Sequence, residues 1–150
     1  MSSIVLTEEH ESRALVALVR TSGIIVQKEF DVWPFRVDPG TYLATTSRFD
    51  ADPTTLQVRD IAKAQGSQGD PALFLRWLVE TEPSSGQFVS LAPDALLWDA
   101  GSGLVCAPYF VAQKLKNGQV LRSLNLCPVS TGRDFRWGKD IAFVSFRKAT

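Results

Sequence analysis

The pair Asn117-Gly118 constrains this chain more than any other feature. It lies between two β-favouring segments, Tyr109 to Lys116 and Gln119 to Leu126. Asn-Gly between such segments predicts an antiparallel hairpin closed by a two-residue type I′ turn, in which both central residues take positive φ. That register sets Lys116 opposite Gln119 and Leu115 opposite Val120. Tyr109, Val111 and Leu115 then share one face with Val120, Leu124 and Leu126, because strand side chains alternate. The same register makes Cys106 and Cys127 diagonal neighbours on one face. Diagonal Cβ atoms are too far apart for a relaxed disulfide, so two buried free thiols are expected.

Further strands are expected at Ile24 to Trp33, Thr41 to Thr46, Gln87 to Leu91 and Ile141 to Lys148. Ala14 to Arg20 reads as the partner of Ile24 to Trp33 across Thr21-Ser22-Gly23. Phe74 to Glu80 reads as the partner of Gln87 to Leu91 across Pro83-Ser84-Ser85-Gly86. Helix competes in three places. Thr7 is a cap candidate ahead of Glu8, Glu9 and Glu11. Asp52-Pro53 suits the start of a helix over Thr54 to Ala64, a segment left open between helix and strand. Asp70-Pro71 could open a third, but its aromatic content and following turn favour strand. Seven or eight short strands with turns every ~8–12 residues predict an all-β fold over residues 1–150. A single-domain β-sandwich of antiparallel hairpins with one or two short helices is expected, with a small β-barrel as the alternative.

The residue inventory excludes several chemistries. One histidine, His10, and two cysteines cannot supply a His/Cys zinc site, so no metal is expected. A histidine-dependent triad would have to recruit His10, which sits among glutamates. No stretch of ~18 apolar residues spans a bilayer, and no signal peptide is seen. A soluble protein is expected, cytoplasmic or part of an assembled particle. Gly101-Ser102-Gly103 lacks the P-loop ending and the dinucleotide-binding glycine spacing, so no cofactor is expected.

Leu96-Leu97-Trp98-Asp99-Ala100-Gly101-Ser102-Gly103 resembles the Asp-Thr-Gly-Ser loop of aspartic proteases. The resemblance implies a homodimer in which paired carboxylates share a proton. Asp99 is the corresponding acid, and Gly132-Arg133-Asp134 echoes that family's later motif, so Asp99 and Asp134 are the catalytic candidates. Ala100 stands where the family has Thr or Ser, and Trp98 intervenes before the Asp. Only some thirty residues separate Asp99 from Gly132. A surface turn is the simpler reading, and no catalytic residue is assigned. The carboxylate pairs Asp50/Asp52 and Glu80/Glu82 read as solvated faces.

Aromatic residues near turns are ligand-binding candidates: Trp33, Phe35 and Trp137, with Arg136 as a cationic companion. The competing reading places them at the ends of the core. Charge supplies the last signal. The chain carries 16 Lys+Arg and 16 Asp+Glu, hence no net charge. Residues 1–103 hold 8 basic and 14 acidic side chains, net −6; residues 104–150 hold 8 and 2, net +6. A basic face from Lys114, Lys116, Arg122, Arg133 and Lys139 follows if the C-terminal strands lie together. The leading expectation is a non-enzymatic structural or interaction protein that self-assembles, or docks on another protein or particle, through acidic and basic surfaces. A small β module for carbohydrate or another ligand is the alternative, and a β-cavity enzyme using carboxylates is a third. Nucleic acid is disfavoured as a partner because there is no net positive charge.

Overall fold

The computed structural model describes residues 2–6, 10–27, 31–32, 36–93, 97–99 and 104–149. In chain order the elements are β1 (Ser2–Leu6), β2 (His10–Glu11), α1 (Ser12–Thr21), β3 (Ile25–Val26), β4 (Asp31–Val32), β5 (Arg36–Val37) and β6 (Gly40–Ser47). They continue with α2 (Thr55–Ala64), α3 (Pro71–Thr81), β7 (Gly86–Val89), β8 (Leu97–Asp99), β9 (Leu104–Lys114), β10 (Val120–Pro128) and β11 (Ile141–Lys148).

The main sheet runs β1-β6-β11-β7-β9-β10-β3, with β8 joining β9 and β4 joining β8. It is mixed: β11 lies parallel to β7, and β10 parallel to β3. The sheet-rich expectation holds. The barrel alternative fails because the sheet is open, and the antiparallel expectation fails at those two pairings. Among the described residues a two-sheet sandwich is not confirmed: besides the main sheet only β2 and β5 pair, over two residues. Helices take the place of a second sheet in the core. One face buries Phe88, Phe110, Leu124, Val144 and Phe146 against Leu15 and Val19 of α1 and Leu73, Phe74, Trp77 and Leu78 of α3. The other face buries Val89, Ala107, Ile141 and Phe143 with Val58 of α2 and Trp137.

The hairpin forms, but its register differs by one residue from expectation. Val120 lies opposite Lys114, Leu124 opposite Phe110 and Leu126 opposite Pro108. The Gly118 N–H donates to the Leu115 carbonyl, and the Leu115 N–H donates to the Gln119 carbonyl. Gly118 takes φ +85 while Asn117 stays out of the left-handed region. This is a turn with a glycine bulge, which needs one left-handed residue where a type I′ turn needs two. One residue of slip exchanges the faces of a strand. Phe110 and Leu124, both fully buried, thereby share the core face. The slip also sets Cys106 beside Pro128 and Cys127 beside Ala107, on opposite faces, and the two are not bridged.

Two segments expected as strands are helices. Leu15, Val16 and Val19 recur at helical spacing and are buried in α1. Thr21-Ser22-Gly23 ends that helix: Gly23 takes φ +87 and the Ile24 N–H reaches back to the Val19 carbonyl. In α3 the Asp70 side chain accepts the Leu73 N–H and Pro71 occupies the first turn, so local capping outweighs aromatic β propensity. The segment over Thr54 to Ala64 is helical too. Its cap is Thr54, which forms a capping box with Gln57, two residues later than the Asp52 cap considered from sequence.

Candidate functional site

The strap between α2 and α3 shapes the most site-like part of the molecule. On the β7 side of β11, pairing with β7 ends at Val89 and Phe143. Beyond that point the Ser90 hydroxyl donates to the Val144 carbonyl and accepts the Asp70 N–H. Gln68 then exchanges both backbone hydrogen bonds with Phe146. The strap is therefore pinned into the sheet. Gly69 is obligatory there: a Cβ would lie 2.3 Å from the Leu91 backbone carbonyl atoms.

Above the strap, α2 is held firmly at one end. Thr55 is buried, donates its hydroxyl to the Ser130 carbonyl at 2.6 Å and accepts the Trp137 indole N–H at 2.9 Å. Arg59 adds a bond to the Ala92 carbonyl. Val58 and Thr55 are the buried residues of this helix, and in its C-terminal half every residue but Ala62 is exposed. Beneath it lies a cleft of about 490 Å³. Leu56, Leu91, Pro93 and Phe143 give it an apolar wall, while Arg59, Lys63 and Ser145 add polar groups. A second cleft of similar size lies beyond the strap, beside Asp38, Tyr42, Asp70, Arg147 and Lys148. Lys63, Ser67 and Gln68 line both.

Electrostatics distinguish the two lobes. Asp70 has its carboxyl pKa raised, chiefly by burial, against the lowering effect of the α3 N–H groups it accepts from. The Tyr42 phenol is also raised, by burial first and then by Asp38 and Asp70; its hydroxyl donates to the Asp38 carbonyl. Ser67 is 6% exposed, and its hydroxyl has no hydrogen-bond partner among the described residues. A buried, unpartnered hydroxyl costs about 1–3 kcal/mol, so it marks a position where a partner is missing.

Of the residues singled out from sequence as site candidates, none whose side chain is described lines either cleft. Trp137 is 3% exposed, edge-on to Phe135 and Phe143, with its N–H satisfied inside the protein. Its neighbour Arg136 is exposed. Trp33 and Phe35 lie outside the described residues. Asp99 pairs in backbone register with Leu104, its side chain and residues 100–103 lie outside the description, and Asp134 is exposed in a turn. The proposed carboxylate pairs are also explained locally. Glu80 bonds Arg76 one turn back, Glu82 ends α3 in the left-handed conformation, and Asp52 accepts the Lys139 N–H.

The basic residues lie in two stretches, the β9–β10 hairpin and the segment before β11. Lys114 and Lys116 flank the hairpin tip, and Arg122 donates to the Pro83 carbonyl. Arg133 and Lys139 are exposed in the segment before β11. In the strand order β11, from the basic part of the chain, lies between β6 and β7 from the acidic part. Of the cleft residues, the sequence marks Asp70 as a helix cap and places Leu91 and residues 143–148 on strands. Lys63 and Ser67 carry no motif, and only the strap brings them to the sheet. Among the described residues no group of three or more potential metal ligands occurs, and no helix is long and apolar enough to cross a membrane. No protein family, curated protein or solved structure matches the chain.

Proposed function

We propose that this chain is a small binding module that takes a partly apolar ligand in the cleft beneath α2. The observation that carries the reading is the half-anchored helix, which leaves a ligand-sized space between an apolar wall and a polar floor. Ligand-observed NMR of the full chain against a set of small organic molecules tests it. Leu56 is half-exposed on the cleft wall. Leu56→Lys should abolish binding of the hits while the protein stays folded. Hits that bind Leu56→Lys unchanged place the ligand elsewhere and sink the reading.

A second reading rests on a different observation. The β1 sequence Ser-Ser-Ile-Val-Leu carries no charge and no proline, and pairs on one side with β6. Val5 is 54% exposed. Edge strands without charges or prolines are templates for further pairing. Self-assembly through this edge is the form of the interaction-protein hypothesis that we favour over an acidic-to-basic contact. Light scattering over protein concentration and salt distinguishes them: edge pairing gives a mass that rises with concentration, survives salt and is lost in Val5→Lys. A wild-type chain that stays monomeric at high concentration refutes it.

A further inference from the structure

We propose that the junction of the two clefts is a carboxylate-binding point, and that the ligand is a monocarboxylic acid whose apolar body lies beneath α2. This rests on the cleft-binding reading above. The three residues that line both clefts are Lys63, Ser67 and Gln68. Each carries a side-chain donor: an ammonium, a hydroxyl and an amide. Lys63 is exposed at the end of α2 and has no carboxylate partner among the described residues. The Ser67 hydroxyl is buried and unpartnered. The Gln68 backbone is occupied by Phe146, while its side chain is exposed.

An acceptor placed at the junction meets the unpaired Lys63 ammonium, and a turn of the Ser67 side chain brings its orphan hydroxyl, buried in this structure, to the same oxygen. Hydrogen bonds between ionised and neutral groups are short and strong, which favours a carboxylate over a neutral oxygen. The surrounding charges set the ligand at one negative charge. Arg59, Arg147 and Lys148 contribute positive charge to the lobes, and Asp38, Asp60 and Asp70 oppose it. The Arg59 guanidinium is already bonded to the Ala92 carbonyl, and Lys148 lies 6.0 Å from the centre of the Tyr42 ring. One ammonium and two neutral donors suit a monoanion better than a phosphate dianion. From that point Leu56, Leu91, Pro93 and Phe143 offer apolar surface to the rest of the molecule.

Calorimetry of the full chain with decanoate, decanol, acetate and decyl phosphate tests the assignment. Decanoate is expected to bind at least about tenfold more tightly than each of the others, the size of effect one charge-assisted hydrogen bond gives. Lys63→Gln should weaken decanoate about tenfold and leave decanol unchanged, and Ser67→Ala should weaken decanoate severalfold. Circular dichroism and the urea midpoint confirm that both variants fold. Decanol binding as tightly as decanoate, or decanoate indifferent to Lys63→Gln, overturns the carboxylate point and leaves the cleft reading standing. Decyl phosphate binding more tightly than decanoate overturns the monoanion assignment. If neither decanoate nor decanol binds, the carboxylic-acid proposal is overturned; the wider ligand screen then judges the cleft by itself.

Discussion

Thr55→Val should destabilise the protein by about 2 kcal/mol, and the structure gives the reason. The Thr55 hydroxyl ties α2 to the segment between β10 and β11: it donates to the Ser130 carbonyl and accepts the Trp137 indole N–H. Thr55 is 1% exposed. Valine keeps the shape and removes the oxygen. The Trp137 N–H is then buried without a partner, at a cost of about 1–3 kcal/mol. Ser130 is exposed, so its carbonyl regains water and adds little. With a urea m-value of roughly 2 kcal/mol/M for a chain of this size, the midpoint should fall by about 1 M with m unchanged. Trp137→Phe removes the donor from the other side, and the double mutant isolates the pair. A coupling of about 1–2 kcal/mol is expected for groups in direct contact. A Thr55→Val cost below about 0.5 kcal/mol, or strict additivity with Trp137→Phe, refutes the argument that this bond anchors the roof of the cleft.

Two further outcomes follow from the strap. Burial raises the Asp70 pKa above its ordinary value of 3.8, so the folded chain holds that proton to higher pH than the unfolded chain. The associated stability is present in acid and lost as pH rises through the folded pKa. Asp70→Asn keeps the helix cap and removes the titration; its stability relative to wild type should therefore increase with pH above about 4, read from urea midpoints across a pH series. A relative stability that does not change with pH contradicts the assignment. Gly69→Ala drives a Cβ into the Leu91 backbone, which a flexible side chain cannot relieve. A loss of about 3 kcal/mol is expected, lowering Tm by roughly 6–12 °C for a domain of this length. Wild-type Tm in that variant would show that the strap sits differently.

Local chemistry was legible in the sequence wherever a short segment settles its own conformation. Asn117-Gly118 determined that a hairpin forms there, and the Asp-Pro pairs lay at the start of both α2 and α3. Ile141 to Lys148 emerged as a strand with the same bounds. What the sequence left open was decided by burial. A turn of either geometry satisfies Asn-Gly; the bulged one prevails in the fold that puts Phe110 and Leu124 into the core shared with α1 and α3. The apolar run of α3 fits strand or helix, and the capping of Asp70 together with one broad core-facing stripe makes it helix. The division of the chain into an acidic and a basic part is not repeated in the strand order, because β11 inserts between two strands from the acidic part. The cleft was the least legible feature. Lys63, Ser67 and Gln68 are ordinary residues in sequence, about eighty positions from β11. Gln68 meets β11, and Lys63 and Ser67 join it in lining the cleft, because β7 ends early and the strap takes over its hydrogen bonds. That substitution depends on contacts distant along the chain, and such contacts leave no local pattern to read.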